Sequence, residues 1–235
     1  MLFFSDKICY ILSMKKTFLQ FNKAFTLAEV LITLVIIGVI AALTIPNVIN
    51  NTKKQEFVSG LKKTYSTLAQ ATSQLVAENG SPINWNTSVD DIYNLYKTKL
   101  VSAKDCGSGS GCYEQKGRVK YLNGNSYGTG WNDNNYHRRL ILNDGVQLIF
   151  GGAANDFSQT CTATHMGGTQ NICQIFFIDI NGNKNPNQWG RDLFAFVLTP
   201  DGLRPAGYEN VTTCSTTQEG YDCAAKVLRE NAMNY

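Results

Sequence analysis

The chain has 235 residues and a small excess of basic side chains, 21 Lys and Arg against 18 Asp and Glu, for a formal charge of +3. An excess this small argues against a nucleic-acid surface, which needs a concentrated basic patch. The sequence has only two histidines, and none of its seven cysteines is in CxxC spacing. That composition argues against a zinc cluster, which is built from Cys and His ligands.

Residues 25–45 are apolar except for one carboxylate, Glu29. A helix of this length spans about 31 Å, close to the hydrocarbon thickness of a bilayer. A core helix would usually be amphipathic, and a cleaved secretory signal would have a shorter apolar run. A plain signal anchor leaves the carboxylate unexplained, because an ionisable group at that depth is costly without a partner. The segment therefore predicts a membrane helix whose carboxylate has a function.

The run Lys23-Ala24-Phe25-Thr26-Leu27-Ala28-Glu29 resembles the prepilin signal of type IV pilins and type II secretion pseudopilins. The resemblance extends from residue 15 to about residue 76 and implies that a prepilin peptidase cuts between Ala24 and Phe25. It also implies N-methylation of Phe25, although the family usually has Gly where this chain has Ala24. Glu29 matches the acidic residue that the family pairs with the Phe25 amine of a neighbouring subunit. A protonated Glu29 without that role is the alternative.

Removal of the predicted leader, residues 1–24, changes the composition of the remaining chain. Residues 1–24 contain four of the basic residues, one acidic residue and Cys9, so 17 basic and 17 acidic side chains remain. The positive charge of the full sequence therefore belongs to the leader. We expect the translation start at Met14, which would give the short basic leader that the resemblance implies.

Six cysteines follow the leader: Cys106, Cys112, Cys161, Cys173, Cys214 and Cys223. An even number in an exported domain predicts disulfide bonds, with fifteen possible connectivities. We favour the pairing of successive cysteines, because each such pair brackets a short loop rich in Gly, Thr and Ser. Disulfides need an oxidising compartment, so the domain that contains them is expected outside the cytoplasm.

Residues 46–79 are predicted to continue the membrane helix as an amphipathic helix. Apolar and small side chains recur there at steps of three or four: Phe57, Leu61, Tyr65, Leu68, Thr72 and Leu75. That spacing predicts one buried helix face, ending near Asn79-Gly80. Pro46 is expected to kink the helix or loosen its preceding turn.

Residues 80–235 are predicted to form a disulfide-bonded α+β domain. A helix is expected over 89–100, and strands are expected over 139–142, 146–150, 174–180 and 193–198. The turn Asn143-Asp144-Gly145 predicts a hairpin between the first two strands. A long helix followed by antiparallel strands predicts an α+β fold in which the helix packs on the sheet, as the resemblance to pilins also implies.

Oxygen-bearing side chains recur between residues 179 and 192. Asp179, Asn181 and Asn183 alternate, and Asp192 adds a second carboxylate, which are ligands that calcium takes. The resemblance supports calcium, since some pseudopilins bind it in a C-terminal loop, but no Glu closes the loop as in an EF-hand. The simpler interpretation is a turn whose Asn side chains bond the backbone, and the calcium site is the alternative.

The sequence predicts a structural subunit and no enzyme, because His137 and His165 stand outside any catalytic motif. The expected product is a filament, and we favour a type II secretion pseudopilus over a type IV pilus. The expected partners are homologous subunits, the prepilin peptidase, the secretion or pilus assembly machinery and the bacterial inner membrane, with no nucleic acid. A membrane-anchored extracytoplasmic binding domain that does not polymerise is the first alternative, and an anchored hydrolase is the second.

Overall fold

A computed structural model describes residues 25–85, 88–109, 111–112, 118–127, 137–151, 161, 163–165, 169–210 and 212–235. The predicted leader, with Ala24 and the expected start at Met14, lies outside the described residues. The chain divides into two compact units, Met1–Asn47 and Val48–Tyr235. The elements in chain order are α1 (Leu27–Asn79), a 3₁₀ turn (Pro82–Asn84), α2 (Val89–Lys97), β1 (Ser102–Gly107), β2 (Arg138–Leu142), β3 (Gln147–Gly151), β4 (Ala163–His165), β5 (Thr169–Ile172), β6 (Gln174–Asp179), β7 (Leu193–Thr199), β8 (Gly202–Pro205) and α3 (Cys223–Glu230).

Helix α1 covers nearly all of the predicted range, residues 25–79, and Pro46 lies inside it without ending the helix. In the second unit one of its faces is buried: Phe57, Val58, Leu61, Thr64, Leu68, Ala71, Thr72 and Leu75. The predicted stripe is therefore confirmed, with Tyr65 partly buried against the core. The helix ends where Gly80 adopts a φ of 77°, a left-handed conformation that glycine allows without steric cost.

The sheet has six strands in the order β1-β2-β3-β6-β7-β8, and every neighbouring pair is antiparallel. Strands β4 and β5 form a separate two-stranded ribbon. The predicted α+β class, a long helix and an antiparallel sheet, is confirmed. The four predicted strands correspond to β2, β3, β6 and β7, and the predicted helix over 89–100 corresponds to the shorter α2.

Strand β7 is buried along its whole length because the sheet is covered on both faces. Alternate side chains of β7 pack in a hydrophobic cluster that also contains residues of α1 and α2: Phe194, Phe196 and Leu198. The intervening side chains pack in a second hydrophobic cluster, which contains Trp189: Leu193, Ala195 and Val197. Since successive strand residues point to opposite faces, α1 covers one face of the sheet and the second cluster covers the other.

Gly60 sets how closely α1 approaches the residue that follows β6. A Cβ atom on Gly60 would lie 2.4 Å from Ile180 Cγ2, well inside van der Waals contact. We expect Gly60→Val to lower the free energy of unfolding by about 1–3 kcal/mol through overpacking, as measured by chemical denaturation of the full chain in detergent. The control is Ser59→Val on the exposed neighbouring position. Equal losses in the two variants would show that the close approach is unimportant.

Candidate functional site

The first turn of α1 holds the Glu29 carboxylate by hydrogen bonds to Thr26. The backbone N–H and the hydroxyl of Thr26 both donate to Glu29 Oε2, each at 2.9 Å. In return, the Glu29 backbone N–H donates to Thr26 Oγ1 at 3.2 Å. This reciprocal arrangement is a capping box, which satisfies N–H groups that a helix start leaves unpaired. The helix therefore begins at Leu27, and Phe25 lies ahead of it.

The described residues leave the apolar part of α1 uncovered. Every residue from Phe25 to Ile40 is exposed, and Phe25 itself is 85% exposed. By length and composition, the helix can cross a membrane. An apolar surface of this extent needs lipid or other helices around it, because soluble monomers do not leave such surfaces in water.

The surroundings of Glu29 leave part of its carboxylate available to another donor. Its hydrogen bonds from described residues all reach Oε2, and within this part of the chain Oε1 accepts none. The described residues also place no cation next to it. A carboxylate among apolar side chains is stabilised by a close cation, so the geometry leaves room for a partner from outside the chain.

Three disulfide bonds connect the six cysteines of the second unit: Cys106–Cys112, Cys161–Cys173 and Cys214–Cys223. Each bond joins one cysteine to the next, which is the pairing that the sequence favours. The third bond fastens the first residue of α3 to the loop before it. Bonds of this kind persist in an oxidising compartment.

The two carboxylates of the predicted calcium set, Asp179 and Asp192, are both fully buried. Asp192 accepts hydrogen bonds from the backbone N–H groups of Asn187 at 2.8 Å and Gln188 at 2.7 Å. Burial nevertheless raises the pKa of Asp192 to about 6. Burial also raises the pKa of Asp179 well above its ordinary value, and the nearby charge of Asp192 raises it further. The fold therefore brings the two acidic groups into mutual repulsion.

Three buried oxygens near this pair have no hydrogen-bond partner among the described residues: Asp179 Oδ2, Asn181 Oδ1 and Asn187 Oδ1. A buried acceptor without a donor costs about 1–3 kcal/mol. Carboxylate and amide oxygens are the ligands that calcium prefers, so the donor set suits that ion. Asn181 Nδ2 also donates to the Asn185 carbonyl oxygen at 3.1 Å, as the turn interpretation predicts, whereas the unpaired oxygens are groups that a cation could bind.

The predicted ligand set differs from the observed surroundings in one member. Asn183 Oδ1 accepts a hydrogen bond from Gln147 Nε2 at 3.3 Å, whereas Asn187, which is outside the predicted set, has a buried Oδ1 that accepts no hydrogen bond from the described residues. No group of three or more His, Cys, Asp or Glu side chains suited to a metal occurs in the described part of the chain. A calcium ion here would be held by two carboxylates and amide oxygens.

The structure describes the surroundings of the His137 side chain, and it places His165 at the end of a strand. Burial, and then the charges of Arg139 and Arg138, lower the pKa of His137 to about 4, so its ring is neutral at pH 7. That ring lies against Phe177, with 6.1 Å between ring centroids. His165 ends β4. The surroundings of His137 are those of a packed side chain.

Two family patterns match the sequence. Residues 20–45 match the prokaryotic N-terminal methylation motif, which confirms a prepilin signal of the type IV pilin and pseudopilin kind. Residues 47–235 match a family of unknown function (DUF6613). No curated protein and no solved structure matches the chain.

Proposed function

The chain belongs to the family of unknown function (DUF6613), and we propose that it is a structural subunit of a pilin-like filament, by preference a type II secretion pseudopilus. The methylation motif indicates a precursor of the type IV pilin class, processed by a prepilin peptidase and assembled with pilin-type subunits. In the proposal, the peptidase cuts between Ala24 and Phe25 and methylates the Phe25 amine. The subunit then acts by assembly and mechanical extension, not by turnover of a substrate.

The observation that carries this proposal is the position of Glu29. Its carboxylate lies in the first turn of an uncovered apolar helix, immediately after the proposed cut. The new amine at Phe25 of a neighbouring subunit would supply the cation that the carboxylate lacks, through Oε1. An ion pair between the Phe25 amine of one subunit and the Glu29 carboxylate of the next would fix the register between the two helices.

The location in the proposal follows from the anchor and the disulfides. An apolar N-terminal helix with a prepilin signal indicates membrane anchoring. We place residues 25–45 in the bacterial inner membrane as a single span, with the unit from Val48 onward in the periplasm or in the extracellular filament. The three disulfide bonds support a location of this unit outside the cytoplasm, because the cytoplasm keeps thiols reduced.

Chemical crosslinking in intact cells separates a filament subunit, periplasmic or extracellular, from an anchored monomer. The proposal predicts that the processed chain is recovered in crosslinked oligomers with pilin-type subunits in cells that make a prepilin peptidase. It predicts only unprocessed membrane-bound precursor when the peptidase gene is deleted. A processed chain that is recovered only as a monomer would instead support an anchored binding domain.

We further propose that the loop from Asp179 to Asp192 binds calcium, on the strength of its unpaired buried oxygens. A ligand that binds only the folded state stabilises it, by about 2.7 kcal/mol at a concentration 100 times its Kd. We therefore expect the melting temperature of the full chain in detergent to be higher with calcium than with a chelator. Differential scanning calorimetry measures that difference.

Two variants make the calcium experiment specific. Asp179→Asn is expected to abolish the calcium-dependent rise in melting temperature, because it removes one of the two buried carboxylates. Asp201→Asn, in the exposed turn between β7 and β8, is expected to keep it. Equal melting temperatures of the unaltered chain in calcium and in chelator would favour the plain turn.

A further inference from the structure

A pocket with a volume of about 210 Å³ opens in the second unit between α1 and the loop that precedes β7. Its lining includes Lys53 and Lys54 from α1, and Asn185 and Arg191 from the loop. A water molecule takes about 30 Å³ of liquid, so the pocket has room for a group several times larger. We call it the basic pocket.

In the described part of the chain, the cations of the basic pocket have no side-chain carboxylate as a partner, and Arg191 interacts electrostatically with the Tyr235 hydroxyl. Among the described residues, Lys53, Lys54 and Arg191 form no ion pair, and the lining contains no Asp or Glu. Other cations of the same unit do have acidic partners: Lys63, Lys97, Lys99 and Arg138. Three unpaired positive charges at one opening select for an anionic ligand.

The basic pocket also has an apolar side. Phe57 and Met233 form its buried floor, and the half-buried Pro186 and Tyr235 leave apolar surface open to the pocket. A small inorganic anion would leave that surface wet, whereas a ligand with a charged head and an apolar body would cover it. The combination suits an amphiphile.

The chain keeps the basic pocket within reach of the membrane. Lys53 follows Ile45, the last residue of the apolar run, by eight positions. A fully extended chain of that length separates the two Cα atoms by no more than about 28 Å. Basic side chains just outside a membrane segment are attracted to anionic lipid head groups. The lipid is therefore the anionic amphiphile that the pocket meets at the highest local concentration.

We propose that the basic pocket binds the phosphate head group of an anionic membrane lipid through Lys53, Lys54 and Arg191. The side chains of Pro186 and Tyr235 contact the glycerol and the upper acyl carbons. The inference rests on the membrane anchoring in the proposed function. It adds a lipid contact that holds the second unit to the bilayer until the subunit is taken up into a filament.

Native mass spectrometry of the full chain in detergent tests this with phosphatidylglycerol, phosphatidylcholine and inorganic phosphate as separate probes. We expect one phosphatidylglycerol molecule to be retained in preference to phosphatidylcholine. Lys53→Gln/Lys54→Gln is expected to lower that retention about 25-fold, since each basic residue near an anionic surface contributes about fivefold. Arg191→Gln is expected to lower it about fivefold, although it lies on a different element.

The control is Lys62→Gln/Lys120→Gln, which removes two exposed cations that do not line the pocket and should leave retention unchanged. Equal retention of the two lipids, or equal losses in both double variants, would overturn the inference. Displacement of phosphatidylglycerol by an equal concentration of inorganic phosphate would also overturn it, because it would identify a pocket for free anions. Membrane fractionation is scored in parallel, since a chain absent from membranes would contradict the proposed function instead.

Discussion

Glu29→Val is expected to abolish filament assembly while leaving membrane insertion intact. In the proposed filament, the Glu29 carboxylate neutralises the amine of a neighbouring Phe25, and the substitution leaves that amine among apolar side chains without a partner. Breaking a buried ion pair by removing one member costs about 3–5 kcal/mol, or about a hundredfold to several thousandfold per subunit contact. Immunoblotting of crosslinked oligomers from intact cells measures the loss.

The matched control is Glu56→Val, which removes an exposed carboxylate from the same helix. It should assemble like the unaltered chain, and both variants should sediment with membranes. Glu29→Gln separates charge from shape, since it keeps an acceptor for Thr26 but cannot neutralise an amine. Normal filaments from Glu29→Gln would contradict the ion-pair mechanism.

Asp222→Ala is expected to destabilise the second unit by about 2–4 kcal/mol. The buried Asp222 carboxylate accepts hydrogen bonds from the backbone N–H groups of Thr212 and Thr213 and from both of their hydroxyls. It thereby holds the segment before the Cys214–Cys223 disulfide against the start of α3. Removing the carboxylate leaves these donors without their acceptor. Chemical denaturation of the full chain in detergent measures the change.

A control elsewhere in the unit and a second variant beside Asp222 complete this test. Asp201→Ala removes a carboxylate from an exposed turn and should change the free energy of unfolding by less than about 0.5 kcal/mol. Gly207→Ala should destabilise the unit through the same region, since Gly207 has a φ of 83° and an added Cβ would lie 2.3 Å from the Asp222 carbonyl oxygen. An Asp222→Ala variant as stable as Asp201→Ala would contradict this account of the loop.

The central strands were predictable because their composition is decisive. Strands β6 and β7 consist mainly of β-branched and aromatic residues, and both are bounded by turn residues. The edge strands were not predicted. Strand β1 has the sequence Ser-Ala-Lys-Asp-Cys-Gly and is largely exposed, which is how natural sheets avoid edge-to-edge pairing. Strand β8 is only four residues long and ends in a proline.

Helix α3 was missed for a different reason. Its eight residues are too few to form a stable helix alone, so the helix depends on tertiary contacts. Those contacts include the disulfide at Cys223 and the burial of Val227. The local sequence around α3 does not show that these tertiary contacts form.

The candidate sites were predictable to the extent that their residues are local in the sequence. Glu29 stands out because its neighbours are apolar, and the capping box with Thr26 could also have been found from the Thr-x-x-Glu spacing. Asn187 could not have been selected, because its oxygen becomes a candidate ligand only through burial. The basic pocket could not be predicted either, since Lys53 and Arg191 are far apart in the sequence and line one pocket only in the tertiary structure.

Mass spectrometry of the mature N-terminal peptide, from cells that make a prepilin peptidase, tests the central claim most directly. The account predicts a chain that begins at N-methylated Phe25. A chain that keeps the residues before Ala24, or one that begins near Thr44 after cleavage as a secretory signal, would contradict it.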